Sequence, residues 1–440
     1  MPSGIDAKNV IVHYDCGPKN KKSVMNCTGL QPVGGTETKL LTTAASGKLF
    51  MGTGMWLDTP VAGEAAAGCT VQVMSAGANK KFEIENVFPV QDTATSILYN
   101  CSFTNPVAAT RFIVGTWNSR GWDDIWVRDS TTGSWNISQR IATGKDPSQQ
   151  RSAIMFTDPV VNVSRLFIGN QPWGIFSMTY DTNCRGGLSP VTWEFDTTKL
   201  PPPPTNAPYP RVASFAVLNN KLYATVASSI YERVNGKDPS WKLAWTDPNP
   251  GTSDTGLRGL TAMASSGYMF AAREGGQGAI LKLTPGSPWK MEIAYDMIKE
   301  LSAAWTRLYG ATVKSSYTIA AYNDMKLVQM PAGHWVMVVG FQSFVNQFPK
   351  NMPTQNLPQK GGNLMALGCF MTWNYFKDGK WRFNHLPAVT SQDMVATRTV
   401  CLFDGRMFMG GYDCNKEPGQ HNSAWCVSTP LNNLMDNYIE

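Results

Sequence analysis

The stretch Lys48-LFMGT, at residues 48–53, is one of seven short segments that decide the fold of this chain. Each copy usually opens on a basic or polar residue, continues with alternating large apolar residues and tends to end on small ones. The copies start 47 to 72 residues apart. They are Lys48-LFMGT, Arg111-FIVGT, Arg165-LFIGN, Lys221-LYATV, Tyr268-MFAAR, His334-WVMVV and Arg406-MFMGG.

Further strand patterns surround each copy. A strand precedes it, in one case ending in the turn Asn219-Asn220, and a third strand such as Asp124-IWVRD follows it. Six copies continue into a fourth strand that usually opens on an aromatic residue, as in Trp241-KLAWT. Alternation with β-branched and aromatic residues is the signal of strands. The pattern predicts an all-β, seven-bladed β-propeller of four-stranded antiparallel blades; a β-sandwich or a pair of β-domains is the alternative.

The seventh copy lacks a clear fourth strand, whereas the N-terminal stretch Asn9-VIVHYD has no blade of its own. We expect this strand to pair into the last blade, because closure of the ring in this way leaves no open sheet edge. Residues 432–439 are the alternative fourth strand. The prediction is a single domain, 1–440, with blades at about 36–91, 92–144, 145–200, 208–248, 255–296, 315–387 and 394–440 plus 8–16.

This blade pattern resembles that of kelch-type and related seven-bladed propellers, and the resemblance covers nearly the whole chain. The glycine pair of kelch repeats is kept at Gly410-Gly411 and is degraded in most other copies. The resemblance implies a fold and no particular activity, because propellers carry many unrelated functions.

The composition excludes several classes of protein. Apolar residues make up 42% of the chain and charged residues 16%, against a usual charged share of about 25%. No apolar run reaches the roughly 18 residues that a membrane helix needs. The net charge of +6 comes without a long basic tract. We therefore expect neither a membrane nor a nucleic acid as partner.

Nine cysteines bear on the compartment. Two pairs join the third strand of one blade to the first strand of the next, so they predict either disulfides between blades or buried thiols. The chain contains no CxxC motif, so we do not expect a zinc ribbon. An even framework with one thiol left over favours an oxidising compartment. The candidate pairs are Cys69–Cys101, Cys369–Cys401, Cys414–Cys426 and Cys16–Cys27, which leave Cys184 over.

Four Asn-X-Ser/Thr sequons add to this, at Asn26, Asn100, Asn136 and Asn162. Asn162 falls in a turn and is the best acceptor for a glycan, whereas Asn100 falls in an inner strand. Residues 1–10 show no signal peptide, but a mature form would start in the same way. Sequons and cysteines together predict a secreted glycoprotein.

One rim of the predicted propeller carries long loops at 55–68, 341–367 and 412–422. They belong to blades six, seven and one, which are neighbours, so they would form a wall beside the axial opening, and clefts of this kind bind ligands. The alternative is that these long loops are insertions that the fold tolerates and that bind nothing. The loop near 341–367 also carries Phe341, Phe344, Phe348 and Met352, which suit a protein partner.

Five arginines fall on the same rim. Arginine binds carboxylate and phosphate groups with two parallel hydrogen bonds, so the sequence predicts an anion-binding mouth. The alternative is that each arginine pairs with a nearby acid such as Asp254, Asp393 or Glu274. The five are Arg151, Arg211, Arg258 and Arg398, which open inner strands, and Arg273, which ends a second strand.

Aromatic residues on the same loops suit the faces of sugar rings. Trp56 and Trp117 are the candidates for stacking, whereas the tryptophans that open fourth strands are expected to pack between blades. Other aromatic residues placed on these loops are Trp122, Trp173, Trp305 and Tyr309.

Catalytic candidates are few. Of the four histidines, only His421 lies on a long rim loop, and Tyr412 opens that loop. Either side chain suits a general base whose pKa is tuned by cations nearby. The chain contains no GxSxG, P-loop, HExxH or EF-hand motif. Its scattered histidines predict no metal site, and we expect no cofactor.

These features predict a secreted β-propeller that binds an anionic oligo- or polysaccharide at its axial mouth. If the chain is an enzyme, β-elimination on uronate residues fits best: arginines would neutralise the carboxylate, and His421 or Tyr412 would take the C5 proton while the other protonates the leaving oxygen. In fold and site chemistry this resembles the propeller polysaccharide lyases. A non-catalytic lectin and a protein-interaction or assembly module are the alternatives.

Overall fold

The computed structural model describes most of the chain. The described residues are 3–4, 7–15, 37–44, 46–54, 68–77, 80–89, 92–118, 122–142, 149–200, 210–250, 256–309, 315–329, 333, 335–345, 364–365, 369–374, 381–385, 394–414 and 421–431. They divide into two compact units, residues 1–95 with 295–440 (unit 1) and residues 96–294 (unit 2).

Most of the described residues lie in strands. In chain order these are β1 (Ser3–Gly4), β2 (Ile11–Asp15), β3 (Glu37–Thr43), β4 (Leu49–Gly54), β5 (Thr70–Met74), β6 (Glu83–Val87), β7 (Asp92–Phe103), β8 (Ala109–Asn118), β9 (Trp122–Arg128), β10 (Trp135–Ala142), β11 (Gln149–Asp158), β12 (Val163–Gln171), β13 (Gly174–Met178), β14 (Thr192–Asp196) and β15 (Val212–Leu218).

The second half continues in the same way. Its elements are β16 (Lys221–Val226), β17 (Ser229–Val234), β18 (Ser240–Thr246), β19 (Leu257–Met263), β20 (Tyr268–Arg273), β21 (Ala279–Thr284), β22 (Lys290–Asp296), helix α1 (Met297–Tyr309), β23 (Ser315–Gln329), β24 (Trp335–Val345), β25 (Leu364–Met365), β26 (Cys369–Asn374), β27 (Trp381–His385), β28 (Met394–Phe403), β29 (Arg406–Cys414) and β30 (His421–Pro430). Four single 3-10 turns lie at Ala7–Asn9, Arg185–Gly187, Thr197–Lys199 and Ala264–Ser266.

Consecutive strands pair antiparallel into four-stranded sheets. β11–β14, β15–β18 and β19–β22 each form such a sheet in sequence order. β3–β6 and β7–β10 do the same, and a bridge from Gly54 to Ala94 joins β4 to β7. β23, β24, β26 and β27 form a further sheet, to which β25 and β1 add at β24 and β27.

The N-terminal strand completes the last sheet. β2 pairs antiparallel with β30, with Ile11 opposite Ser428 and Asp15 opposite Trp425, so the sheet order is β2–β30–β29–β28. This confirms the predicted pairing of the N-terminal strand. The alternative fourth strand, residues 432–439, lies outside the described residues.

Every motif copy falls on the second strand of a sheet, and four of the seven copies contain a glycine. A Cβ at Gly52 would lie 2.5 Å from Thr95 Oγ1, which belongs to the first strand of the next sheet. Gly169 has the same relationship with Val212, and Gly410 with Thr38. The missing side chain therefore lets the inner strand of the following sheet approach closely.

Hydrogen bonds join inner strands of adjacent sheets within each unit. In unit 2, Ser152 Oγ donates to the Val212 carbonyl at 2.8 Å, and the amide of Leu260 donates to Ser214 Oγ at 3.0 Å. In unit 1, the amide of Leu41 donates to Thr399 Oγ1 at 3.0 Å. Successive four-stranded sheets packed through their first strands, with the N-terminal strand in the last sheet, make this an all-β propeller.

Helix α1 is an element that the strand pattern did not predict. Asp296 caps it, since its Oδ1 accepts a hydrogen bond from the Lys299 amide at 3.0 Å, and Met297 and Leu301 are buried. Trp305 and Tyr309 lie on this helix, so their placement on a loop was wrong. Within the described ranges, no helix is both long and apolar enough to cross a membrane.

The cysteine framework was also wrong in part. Cys69, Cys101, Cys401 and Cys426 are buried free thiols. The alternative of buried thiols therefore holds for Cys69, Cys101 and Cys401, whereas the predicted Cys414–Cys426 disulfide is not formed. These side chains fill the core as small apolar groups: Cys101 packs among Ile97 and other apolar residues of unit 2. In the last sheet, Cys426 lies opposite Gly410 rather than Cys414. Cys16 and Cys27 lie outside the described residues.

Candidate functional site

A β-bulge in each of several first strands places a cation at the same structural position. Arg398 is the extra residue between the pairs Thr397–Gly411 and Thr399–Gly410. A bulge re-aims the side chain of the extra residue. Arg151 in β11, Arg258 in β19 and Lys39 in β3 are the extra residues of equivalent bulges, whereas β15 has Ala213 there.

In unit 1, the bulge cations of two adjacent sheets meet one carboxylate. Glu37, which is fully buried at the start of β3, forms an ion pair with Arg398 Nη1, and its Oε2 lies 3.8 Å from Lys39 Nζ. Burial lowers the pKa of Arg398 to about 10, although the neighbouring Tyr412 opposes this shift. We call Glu37, Lys39, Arg398, Tyr412 and Gln342 the Arg398 cluster.

Tyr412 brings a hydroxyl into this cluster. It is buried in β29, and its hydroxyl donates to Gln342 Oε1 of β24 at 2.5 Å. Tyr412 lies opposite Ala396 in the β28–β29 ladder, and Arg398 stands two residues further along β28, so the two residues occupy neighbouring positions on adjacent strands. The structure thus joins one predicted catalytic residue to one predicted anion-binding residue.

The other predicted catalytic residue lies on the same sheet. The backbone of His421 pairs with Cys414 at the end of the β29–β30 ladder, and its side chain lies outside the described part of the chain. Trp56, the predicted stacking residue of this unit, also lies outside it.

In unit 2, three of the predicted arginines have buried partners. Arg258 forms two hydrogen bonds with Glu274, at 2.5 and 3.2 Å. Arg273 does the same with Asp247, at 2.7 and 2.6 Å. Arg151 donates twice to Gln171 Oε1, at 3.0 and 2.7 Å.

The pairing of Arg258 with Glu274 is the internal arrangement that the sequence left open as the alternative. Arg273 also has an acid of its own, and Arg398 pairs with Glu37; Asp393 lies outside the described residues. These guanidinium groups therefore hold neighbouring strands together, and an anion would have to compete with a resident partner.

Arg211 and Trp117 complete the predicted residues of unit 2. Arg211 precedes β15 and is half-buried, and its carbonyl accepts from the Ala227 amide at 3.2 Å. Trp117 is half-buried near the end of β8, opposite Asp123. Asp123, opposite Trp117, accepts a hydrogen bond from Asn170 Nδ2 at 3.2 Å, and this links β12 to β9.

The tryptophans that open fourth strands contact other rings. Trp241 lies 6.2 Å from Phe195 and Trp289 lies 5.8 Å from Tyr223, between ring centroids. Trp135 and Trp381 contact Phe112 and Tyr295 in the same way. The contacts of Trp241, Trp289 and Trp381 join consecutive sheets, as expected for packing between blades, and that of Trp135 lies within one sheet.

Sequence reasoning missed Glu37, Lys39 and Asp247. Lys39 could have been found, because it is a cation near the start of an inner strand, as Arg398 is, and both occupy the bulge of their strand. Among the described residues, no group of three or more His, Cys, Asp or Glu side chains could hold a metal ion.

No protein-family model and no curated protein matches this sequence. Solved structures of propellers do match. An α-L-arabinanase of Penicillium chrysogenum complexed with arabinobiose is 9% identical, with 96% of this chain and 99% of that chain covered and a TM-score of 0.46. The WD40 propeller domain of Doa1 is 10% identical, with 96% and 98% covered and a TM-score of 0.44.

The periplasmic gluconolactonase PpgL of Pseudomonas aeruginosa is 13% identical, with 86% and 94% covered and a TM-score of 0.49. These likenesses concern the fold and do not extend to an activity.

Proposed function

We propose that this chain is a secreted, seven-bladed β-propeller that binds an anionic carbohydrate at the Arg398 cluster and cleaves it by β-elimination at a uronate residue. The observation that carries the proposal is the register of β28 with β29, which places Arg398 and Tyr412 at neighbouring positions on adjacent strands. A buried cation next to a phenol is the combination that this reaction requires, because one group stabilises negative charge and the other moves a proton.

The chemistry assigns a step to each group. Arg398 binds the uronate carboxylate, and its charge stabilises the negative charge that develops there as the C5–H bond breaks. Tyr412 takes the C5 proton in its ionised form, and the Gln342 amide turns so that its Nε2 donates to the phenolate oxygen. The C4–O bond then breaks, a C4–C5 double bond forms, and His421 protonates the leaving oxygen.

The charges of the Arg398 cluster favour an anionic substrate over a neutral one. The cluster contains Arg398 and Lys39 against the single carboxylate of Glu37. A substrate carboxylate would balance the second cation in a region of low dielectric, where charge pairs are strong.

The test is an assay of unsaturated uronate by ultraviolet absorbance on polygalacturonate, alginate, glucuronan and chondroitin. We expect turnover on at least one polymer and a loss of about 100-fold or more in Tyr412→Phe. The matched control is Tyr14→Phe, because Tyr14 is a buried tyrosine of the same unit whose hydroxyl bonds to Gln72. No turnover across the panel, or equal rates in both variants, would remove the lyase proposal.

A second candidate is a binding protein without chemistry. The observation that favours it is the ion pair of Arg398 with Glu37, because an arginine with a resident carboxylate can be structural. In that case uronate oligosaccharides bind to the native protein without turnover, and Tyr412→Phe leaves their affinity unchanged. Calorimetry on the same panel separates the two functions.

A further inference from the structure

The turn between β11 and β12 presents one sequon to solvent. Asn162 is exposed there with a φ of 53°, a left-handed conformation that asparagine tolerates well. Asp158 holds the turn, since its carbonyl accepts from the Asn162 amide at 2.8 Å and its Oδ1 accepts from the Val160 amide at 2.9 Å. The position of Asn162 is therefore fixed outside both strands.

The other described sequons lack this geometry. Asn100 lies within β7 and is half-buried. Asn136 lies within β10, is half-buried and accepts a hydrogen bond from Arg185 Nη2 at 3.2 Å. Asn26 lies outside the described residues.

The surroundings of Asn162 are apolar for an exposed turn. Val160 is 69% exposed, and Val107, on the adjacent turn, is 49% exposed. The two turns touch, because Asn105 Nδ2 donates to Asn162 Oδ1 at 3.1 Å and the Ser164 amide donates to the Asn105 carbonyl at 3.0 Å. The side-chain oxygen of Asn162 is thus engaged, and its Nδ2 is directed away from Asn105.

We propose that Asn162 carries an N-linked glycan that covers the exposed valines of these two turns. The donor is an oligosaccharide linked to a lipid diphosphate. A bond forms between Asn162 Nδ2 and the anomeric carbon, the bond from that carbon to the phosphate oxygen breaks, and the amide loses one proton as the lipid diphosphate leaves. The inference rests on the secreted location proposed above and not on the lyase chemistry.

The fold sets the time of this modification. The hydroxyl of Ser164, which completes the sequon, is buried and lies 2.7 Å from Thr104 Oγ1 and 2.8 Å from Thr157 Oγ1. A transferase that contacts this hydroxyl reaches it only before β12 pairs with β11. Asn162 therefore receives its glycan during translocation and before this sheet forms.

The test is secretion of the full chain from a eukaryotic cell behind a signal sequence, followed by peptide mass spectrometry with and without peptide N-glycosidase. We expect a glycan at Asn162 that is absent in Asn162→Gln and in Asn162→Gly, which keeps the left-handed turn. Asn136→Gln is the matched control and retains the glycan.

The readout needs no substrate, so a failed lyase assay leaves it unaffected. An unmodified Asn162 in the secreted, folded protein would overturn the inference. Transfer of the oligosaccharide to the folded protein at the same rate as to the unfolded chain would also overturn the inference, because the buried Ser164 should block transfer once the sheet has formed.

Discussion

Gly410 of β29 lies directly against Thr38 of β3: a Cβ added to this glycine would stand 2.5 Å from Thr38 Cγ2. The two residues belong to the last and the first sheet along the chain, and both sheets lie in unit 1. The contact repeats the relationship of Gly52 with Thr95 and of Gly169 with Val212. In these three copies, the glycine therefore allows consecutive sheets to pack closely.

The first prediction concerns this spacing. Gly410→Ala should lower the free energy of unfolding by about 1–3 kcal/mol, because β3 has to move away from the new methyl group. Gly47→Ala is the control: Gly47 has a φ of +68° and no atom within 4 Å of an added Cβ, so it pays only a backbone cost of about 1 kcal/mol. Urea unfolding measures both, and an equal or smaller loss at Gly410 would contradict the spacing role.

The second prediction concerns a buried charge network in unit 2. Arg233 donates to Asp158 at 2.7 Å and to Glu194 at 2.8 Å, and all three side chains are buried. Arg233→Ala should destabilise the protein by about 3–5 kcal/mol, since two buried carboxylates lose their cation.

Lys199→Ala is the control for Arg233→Ala. Lys199 is 82% exposed in its ion pair with Asp196, and its loss should cost about 0–1 kcal/mol. Denaturant unfolding of both variants under one buffer condition checks the difference, and losses of similar size would show that the Arg233 network contributes little.

The third prediction concerns the loss of stability at acid pH. Burial alone would raise the pKa of Asp158, but hydrogen bonds from Arg233 and from the amides of Gly236, Val160 and Val161 outweigh it and hold this pKa below its ordinary value. A depressed carboxyl pKa adds stability above the unfolded value of about 3.9 and loses it as the pH falls through the folded value.

Wild-type protein should therefore lose stability below about pH 4, and Asp158→Asn should be less stable at neutral pH with a shallower loss in acid. Urea unfolding across the acid range measures this slope. A variant whose curve runs parallel to that of the wild type would refute the contribution of Asp158.

The sequence predicted the strands well because their determinants are local. Alternation and small residues in Arg165-LFIGN indicate a second strand, and β12 follows at Val163–Gln171. The strand pattern near Asn9 belonged to no blade, whereas the last blade lacked a fourth strand, and this predicted the pairing of β2. Helix α1 was not predicted, because it lies between two strand repeats and the strand pattern carries no information about the segment that connects them.

The site was predicted only in part because its contacts are not local. Nothing near Arg398 in the sequence points to Glu37, which reaches it through the packing of β28 on β3. In the same way, Arg273 forms its ion pair with Asp247, which follows the last strand of the preceding sheet. Residue type indicated that these arginines would need acids, but the choice of acid depends on how the sheets pack.

The fourth prediction concerns the thiols. Burial raises the pKa of the thiols of Cys69, Cys101, Cys401 and Cys426, so they are protonated as well as inaccessible. Cys184 is half-buried, near Asp181. Iodoacetamide should label Cys184 in the native protein and the four buried thiols only after unfolding, as mapped by peptide mass spectrometry. Equal labelling of Cys184 and Cys401 in native protein would contradict their burial.

The fifth prediction concerns the charge of Arg398. Because burial lowers its pKa to about 10, the guanidinium loses its charge at a pH at which an ordinary arginine keeps it. Anion binding at the cluster should therefore weaken above about pH 10, by about tenfold for each further pH unit. Methyl glucuronoside is a suitable probe, because it carries no sugar at C4 and is not cleaved.

Calorimetry from neutral to alkaline pH gives the profile of this binding. Arg398→Met should abolish it at every pH, whereas the exposed control Lys199→Met should keep the wild-type affinity and its alkaline loss. Affinity that stays constant through pH 10 in the wild type would contradict the lowered pKa of Arg398, and binding that survives in Arg398→Met would show that the anion binds elsewhere.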